Sequence, residues 1–529
     1  MNNSTKQDFF AYLVFSFLFG IYIIIADYGH RVDQFPYFDN AKIDINNIGN
    51  ALERNSINGI DSNQLEEPNK WLMRFRLYSI DADEVNNIMA LARIKPAKLQ
   101  FDPHHYSYGG GYLYPLGLWF FVLKQASIIQ TGDLRWMIDN PQAMDSIYLA
   151  GRVFILVTFF ISALFLYSLL KTIRNQKFAL VASLIYLSTP SLLMFSVVMK
   201  PHVYALLWTN IALFLLVKAY YLEKLTYKNS IMLGLVLGMA VGSVVTYALF
   251  AVMVWVGLLY YAWKGKLRYV NLLLVPSIAI FVFFLVNPFI ILNYDAFLLE
   301  TTAQQSWFFL GGQLEYLWLF VTNSLLPGFG IGVLSLLIYV ISFLIFNPSM
   351  KGMRSIGLSI LLILSFISFI SASVSTWHIN SRYIFYMVPV VLTLYALRKE
   401  ASIKFLNIIL LVTLLQTFPL FLAYYDEDSL EYSTRLRAAE WINKNIPIGN
   451  TVCTTGRSIA PYDSPPFDFM RIKVDRNQCD FLISIERQSD RVLIDFDKEL
   501  MVRFEPRFNI KAVPLVYSHI NPQISIYRN

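Results

Sequence analysis

Three carboxylates, Asp81, Asp83 and Glu84, fall within four consecutive positions of SIDADEVNN, residues 79–87, in a chain that is only 15% charged. An aspartate held beside a hydroxyl or amine can take its proton as a general base. The same residues also suit a helix start. Val85, Ile88, Met89 and Ala92 recur at helical spacing, so a short amphipathic helix begins here. Asp81 with Glu84 three residues later reads as a capping box, and acids in a first turn complement the helix dipole. Capping accounts for Asp81 and Glu84 and leaves Asp83 over.

Downstream, FDPHHYSYGGGYLYPLG supplies His104, His105, Tyr106 and Tyr108, then three glycines where a backbone must turn or let a ligand approach. Two histidines near aspartates could hold a divalent metal, zinc or magnesium, although no Cys/His or helical ligand spacing accompanies them. The plainer reading is a set of interfacial aromatic anchors.

The elements that must position these residues are membrane spans. The chain has 529 residues, is 56% hydrophobic and 16% aromatic, and has a mean hydropathy of +0.49. Runs such as FFAYLVFSFLFGIYIIIA (9–26) and SIGLSILLILSFISFISASV (355–374) are long enough to cross roughly 30 Å of hydrocarbon as helices. No small-residue cleavage site follows the first, so it does not read as a removable signal. Basic residues gather in short gaps between apolar runs: Lys171, Arg174 and Lys177; Lys218, Lys224 and Lys228; Lys264, Lys266 and Arg268; Lys351 and Arg354; Arg398, Lys399 and Lys404. That distribution marks the gaps as cytoplasmic and accounts for the net charge of +7 without nucleic acid.

The expected fold is a polytopic α-helical membrane protein with about 11 transmembrane helices. They lie near 9–26, 151–170, 178–198, 203–220, 230–246, 248–263, 270–290, 325–346, 355–374, 382–397 and 404–424. The run 111–129 is left out, because counting it would invert every basic gap downstream. It also carries Pro115 and Lys124, and reads as an interfacial or re-entrant helix on the outer face. Residues 1–424 form the transmembrane domain, with a long first extracytoplasmic loop at 27–150. Residues 425–529 form a small extracytoplasmic α/β domain. There STRLRAAEWINKNIPIGNTV predicts an amphipathic helix (Leu436, Ala439, Trp441, Ile442) stopped by Pro447 and Gly449, and DFLISIE and KAVPLVY have strand character. Cys453 and Cys479 could pair if that domain is extracytoplasmic; two unpaired small residues is the equal alternative.

The layout resembles the C-type glycosyltransferases, integral membrane enzymes that use polyprenyl-phosphate sugars, and within them the protein O-mannosyltransferase and lipid A aminoarabinose transferase branches. Asp83-Glu84 followed by YSYGGGYLYPLG is similar to the family's acidic pair and tyrosine- and proline-rich stretch in the first extracytoplasmic loop. GRVFILVTFFISALFLYSLL, with Arg152, resembles its next span. SRYIFYMVPVVLTLYAL, with Arg382-Tyr383, resembles a late span, and RAAEWINKNIPIGNTV the start of the extracytoplasmic tail. One departure is the lone Pro115, where the family often has a proline pair.

The resemblance implies transfer of a sugar from a polyprenyl phosphate to an acceptor hydroxyl or amine on a lipid, protein or glycan. The expected compartment is a bacterial inner (plasma) membrane, with the active site facing the periplasm. Asp83 would then be the general base, and Glu84 would bind the acceptor or complete the cap. Arg382 would hold the departing lipid phosphate, with Lys200 and His202 of MKPH next in line. Asp81, His104, His105, Tyr108 and Tyr383 complete the candidate binding set, and NPFIILNYD (287–295) could help hold the lipid. Against this stand ordinary roles: snorkelling for Arg382, and a plain outer turn for Lys200 and His202. The rival class is a polyisoprenoid- or glycolipid-handling transporter or flippase. It would call for inverted repeats and ionisable residues near the bilayer midplane, whereas these spans are almost free of charge. A membrane-anchored scaffold is a third class and would not need the first-loop acids. No Gly-rich phosphate loop points to an energy-coupled enzyme.

Overall fold

The structure is a computed structural model that describes residues 3–29, 69–221, 225–263, 265, 268–308, 321–346, 381–454, 464–469, 472–474, 479–486, 499–507 and 520–529. In chain order its helices are α1 (Asn3–Ala26), α2 (Asn69–Leu77), α3 (Ala82–Arg93), α4 (Gly110–Gln125), α5 (Leu134–Asp139), α6 (Gln142–Ile173), α7 (Gln176–Ser188), α8 (Pro190–Ser196), α9 (Pro201–Tyr221) and α10 (Tyr227–Ser243). Then follow α11 (Ala248–Trp263), α12 (Tyr269–Val286), α13 (Phe289–Leu292), α14 (Tyr294–Phe308), α15 (Leu326–Phe346), α16 (Met387–Ala396), α17 (Ile403–Asp426) and α18 (Thr434–Asn445). Five strands close the chain: β1 (Thr451–Thr454), β2 (Lys473–Val474), β3 (Phe481–Glu486), β4 (Glu499–Phe504) and β5 (Gln523–Arg528).

Six described helices, α1, α6, α9, α12, α15 and α17, are long and apolar enough to cross a membrane, and seven spans result if the bent pair α7–α8 counts as one. The chain is an integral membrane protein. The expected count of about 11 is not reached among the described residues. The helices at three expected positions, α10, α11 and α16, have 17, 16 and 10 residues, short of the ~20 a perpendicular crossing needs. The run 355–374 lies outside the described residues. The span expected at 178–198 is bent by 66° between α7 and α8. Pro190 lacks an N–H and pushes Thr189 out of the helical region, to ψ 125. The run at 111–129 forms α4, whose 16 residues reach about 24 Å at 1.5 Å per residue.

The chain divides into two compact units. Unit 1 comprises Met1–Tyr22, His104–Gly117 and Phe154–Phe418; unit 2 comprises Ile23–Pro103, Leu118–Val153 and Pro419–Asn529. The C-terminal stretch therefore shares a unit with most of the first loop.

Unit 2 contains a five-stranded sheet in the order β2-β1-β3-β5-β4. Strand β1 is parallel to β2 and β3, while β5 is antiparallel to both its neighbours. Helix α18 packs on β4 and β5 through Thr434, Arg435, Ala438, Ala439 and Ile442. The expected face was rotated, since Leu436 and Trp441 are only half-buried. DFLISIE is strand β3, while KAVPLVY lies outside the described residues. Cys453 on β1 and Cys479 just before β3 form a disulfide. Beside it, the Asp480 carboxylate accepts from the N–H and hydroxyl of Thr451, at 2.8 and 3.0 Å.

Candidate functional site

The acid cluster in unit 2 divides by direction. Asp81 is the N-cap of α3, and its carboxylate accepts from the Asp83 N–H at 2.9 Å. The reciprocal half of the capping box is not formed. Glu84 instead turns to Arg152 on α6, which donates from Nε and Nη2 to its two oxygens at 2.9 and 2.7 Å. The Ser79 hydroxyl adds a third hydrogen bond at 2.6 Å. Arg152 Nη1 donates to the carbonyls of Ala26 and Tyr28 at 2.8 and 2.7 Å, just past the last turn of α1. The Tyr28 ring lies 4.1 Å from the guanidinium carbon and the Tyr148 ring 5.9 Å.

Glu84 is 0% and Arg152 1% exposed. A buried charge survives only when paired and hydrogen-bonded, and this pair meets both conditions. Burial also lifts the Tyr28 hydroxyl well above its ordinary pKa, with Arg152 opposing. Asp83 precedes Glu84 by one residue, hence by about 100° around a helix of 3.6 residues per turn, and is half-buried. Two adjacent acids therefore have different surroundings. Glu84 is committed to Arg152; Asp83 is not part of that pair.

Unit 1 brings together most of the other expected residues. Its loop 104–109 is fastened by Glu300 on α14, whose carboxylate accepts from the N–H groups of Tyr106 and Ser107 at 2.9 Å each and from the Ser107 hydroxyl at 2.5 Å. His105 Nδ1 lies 3.6 Å from the same carboxylate. From there the rings run edge to face: His105 to Tyr108 at 5.5 Å, Tyr108 to His202 at 6.0 Å, and His202 to Tyr383 at 6.4 Å. Two cations flank this path. Arg382 stands 5.2 Å from the Tyr383 ring, in the short 3₁₀ turn Ser381–Ile384. Lys200 stands 5.6 Å from Phe195, which itself lies 5.6 Å from His202. Lys200 and His202 are each 2% exposed, against the expectation of a plain surface turn. The Tyr247 hydroxyl donates to the His202 carbonyl at 2.6 Å and fixes the start of α9. His104 stands apart from this path, exposed and with a left-handed φ of 45°.

The three glycines serve packing. None of them has a positive φ. A Cβ on Gly109 would lie 1.9 Å from the Gly242 carbonyl oxygen, and one on Gly110 would lie 2.0 Å from that of Val286. The N–H of Gly109 donates to the Ser243 carbonyl at 3.0 Å, and that of Gly110 to the Asn287 side chain at 2.8 Å. The start of α4 thus lies directly against the ends of α10 and α12. This corrects the expectation of a turn or a ligand cradle.

Among the described residues no group of three or more His, Cys, Asp or Glu side chains is placed to hold a metal; His105 meets one carboxylate, Glu300. Sequence reasoning missed Glu300 and Phe195. Glu300, on α14, follows the expected span at 270–290 with no motif around it, and its acidity in an apolar chain was the one available signal.

No protein-family model matches the chain, and no curated protein does. Similar solved structures include the crystal structure of the Archaeoglobus fulgidus oligosaccharyltransferase tethered with an acceptor peptide, at 14% identity and TM-score 0.37, over 65% of this chain and 50% of that one. The same archaeal protein in complex with zinc and sulfate gives 14% identity and TM-score 0.38, over 88% and 67%. In complex with an inhibitory peptide and a dolichol-phosphate it gives 12% and 0.41, over 89% and 69%. This chain thus spans half the length of the first of these. Likeness at that level leaves the reaction to be argued from the residues themselves.

Proposed function

We propose that this protein is a polyprenyl-phosphate-sugar-dependent glycosyltransferase of the C type, acting on the extracytoplasmic face of a bacterial inner membrane. The observation that carries this reading is the bidentate pair between Glu84 and Arg152. Two motifs that the resemblance ties to one family, 68 positions apart, meet side chain to side chain. The roles then separate. Glu84 fastens the first turn of α3, and its neighbour Asp83 is the general base.

In the proposed step an acceptor hydroxyl on a lipid, protein or glycan attacks the anomeric carbon of the donor sugar. Asp83 takes the hydroxyl proton as the new C–O bond forms. The bond from the anomeric carbon to the lipid phosphate breaks with inversion, and the phosphate leaves as a monoester with one more negative charge. Arg382 receives that charge, with Lys200 and His202 in support. The aromatic path Tyr108–His202–Tyr383 supports this assignment, because it sets His202 in a chain of fixed rings that ends beside Arg382.

The test is purification in detergent followed by an assay of sugar release from polyprenyl-phosphate donors. Mass spectrometry of envelope lipids and glycoproteins, with and without the gene, identifies the acceptor. Sugar release that needs Asp83 supports the reading. If wild-type protein releases no sugar from any such donor, and the envelope loses no sugar increment, the reading fails.

A further inference from the structure

Between α3 and the HHYS loop, residues 95–101 form a tight hairpin, closed by a bridge between Lys95 and Gln100. All seven residues are exposed, and at the tip Leu99 is 82% exposed, above the 77% of Phe346 at the end of α15. Its backbone is left-handed, φ 55 and ψ 26, a conformation that a branched side chain adopts only at a cost. The fold therefore holds a leucine outward against both hydrophobicity and backbone preference. Strain of that kind is kept where the outward side chain has something to touch.

The hairpin satisfies most of its own N–H groups. The N–H groups of Lys95, Lys98, Leu99 and Gln100 donate to carbonyls within the loop at 2.7, 2.9, 3.0 and 3.2 Å, and Pro96 has none to satisfy. Of the residues from Lys95 to Gln100 this leaves the N–H of Ala97. A loop so closed can leave water cheaply, which open loops cannot do. Lys95 and Lys98 flank the apolar tip, placed to extend toward anionic headgroups while their stems lie along lipid. Phe101, 42% exposed, adds a second apolar side chain at the base.

We propose that this hairpin is a lipid-contacting finger. Leu99 enters the headgroup–acyl boundary of the bilayer, and Lys95 and Lys98 contact the phosphates of anionic lipids. The bilayer is favoured over a protein partner because lysines bracket an isolated apolar tip, with no broad apolar face for a protein to cover.

Both native cysteines are used in the disulfide, so a single introduced cysteine is the only free thiol. Leu99→Cys, Phe101→Cys and, as an aqueous reference, Glu440→Cys on exposed α18 would each carry a nitroxide in full-length protein. The protein would be held in lipid nanodiscs of phosphatidylcholine alone or with phosphatidylglycerol. Electron spin resonance would then read collision with oxygen and with a water-soluble nickel chelate. The oxygen-to-nickel ratio should be several-fold higher at 99 than at 440, intermediate at 101, and higher again with phosphatidylglycerol. Lys95→Glu with Lys98→Glu should remove the phosphatidylglycerol effect. A ratio at 99 equal to that at 440 in both discs overturns the proposal. So does a label at 99 shielded from both relaxants, which would mean protein covers it. A charge-reversed hairpin that keeps its full response to phosphatidylglycerol overturns the role of the lysines.

Discussion

The Glu84–Arg152 pair of unit 2 and the ring path of unit 1 hold their charged side chains in different company. In the first, two charges cancel: both carboxylate oxygens and four of the five guanidinium N–H groups are bonded. In the second, Lys200 and Arg382 each stand beside an aromatic ring, whose electron-rich face attracts a cation. A cancelled charge fixes a fold. The contrast sets a pair that holds the fold apart from the rings and cations to which the proposed function gives the departing phosphate.

The sharpest way to break that contrast is at Arg152. Arg152→Ala leaves Glu84 buried and uncompensated and should cost ~3–5 kcal/mol of stability. Replacing both partners by apolar residues, Arg152→Leu with Glu84→Leu, should recover much of it. Thermal unfolding in detergent measures both; a single variant that melts like wild type would remove the structural role.

Next comes Asp83. Asp83→Asn should lower sugar transfer at least the ~10²-fold expected for loss of a general base, with unchanged melting. Asp81→Asn retains a good cap and should stay active. An inactive Asp81→Asn beside an active Asp83→Asn would exchange the two roles. On the other side of the comparison, Arg382→Ala should weaken donor binding or turnover by more than Arg382→Lys, which keeps the charge and loses only the planar fork. Equal activity of all three forms would make Arg382 a membrane anchor.

The smallest effect concerns pH and serves as a control within unit 2. Hydrogen bonds from Thr451 hold the Asp480 carboxyl below its usual pKa, so its contribution to stability is present at neutral pH and is lost as acid protonates it. Burial raises the pKa of Glu427 despite Arg435 beside it, so its ionisation costs stability as pH rises above the ordinary glutamate range. Asp480→Asn should flatten the acid side of a melting-temperature profile, and Glu427→Gln the side above that range. Profiles unchanged by either substitution would contradict these assignments.

The helix at α3 and its Asp81 cap were legible because capping is decided within four residues. The C-terminal helix and strand β3 were legible for the same local reason. Arg152 could be singled out only by resemblance, since no spacing rule links it to Glu84 across 68 positions. Glu300 was invisible because a lone acid carries no spacing that points to its partners 194 positions away. The glycines were misjudged in kind: composition reports that a side chain is absent and not which backbone fills the space. The apolar runs fixed the membrane, while the spans at 178–198 and 230–246 broke where Pro190 and the extended Val244 end a helix.

Gly109, Gly110 and Gly111 carry a consequence for any survey of variants. A Cβ would meet a backbone atom at 1.9, 2.0 and 2.8 Å at the three positions in turn, so even alanine must pry α4 away from α10 and α12. A map of mutational tolerance would therefore colour this triplet darkly. The intolerance would record clearance between backbones, and a conservation-guided search for chemistry along FDPHHYSYGGGYLYPLG would be drawn to glycines that packing alone explains.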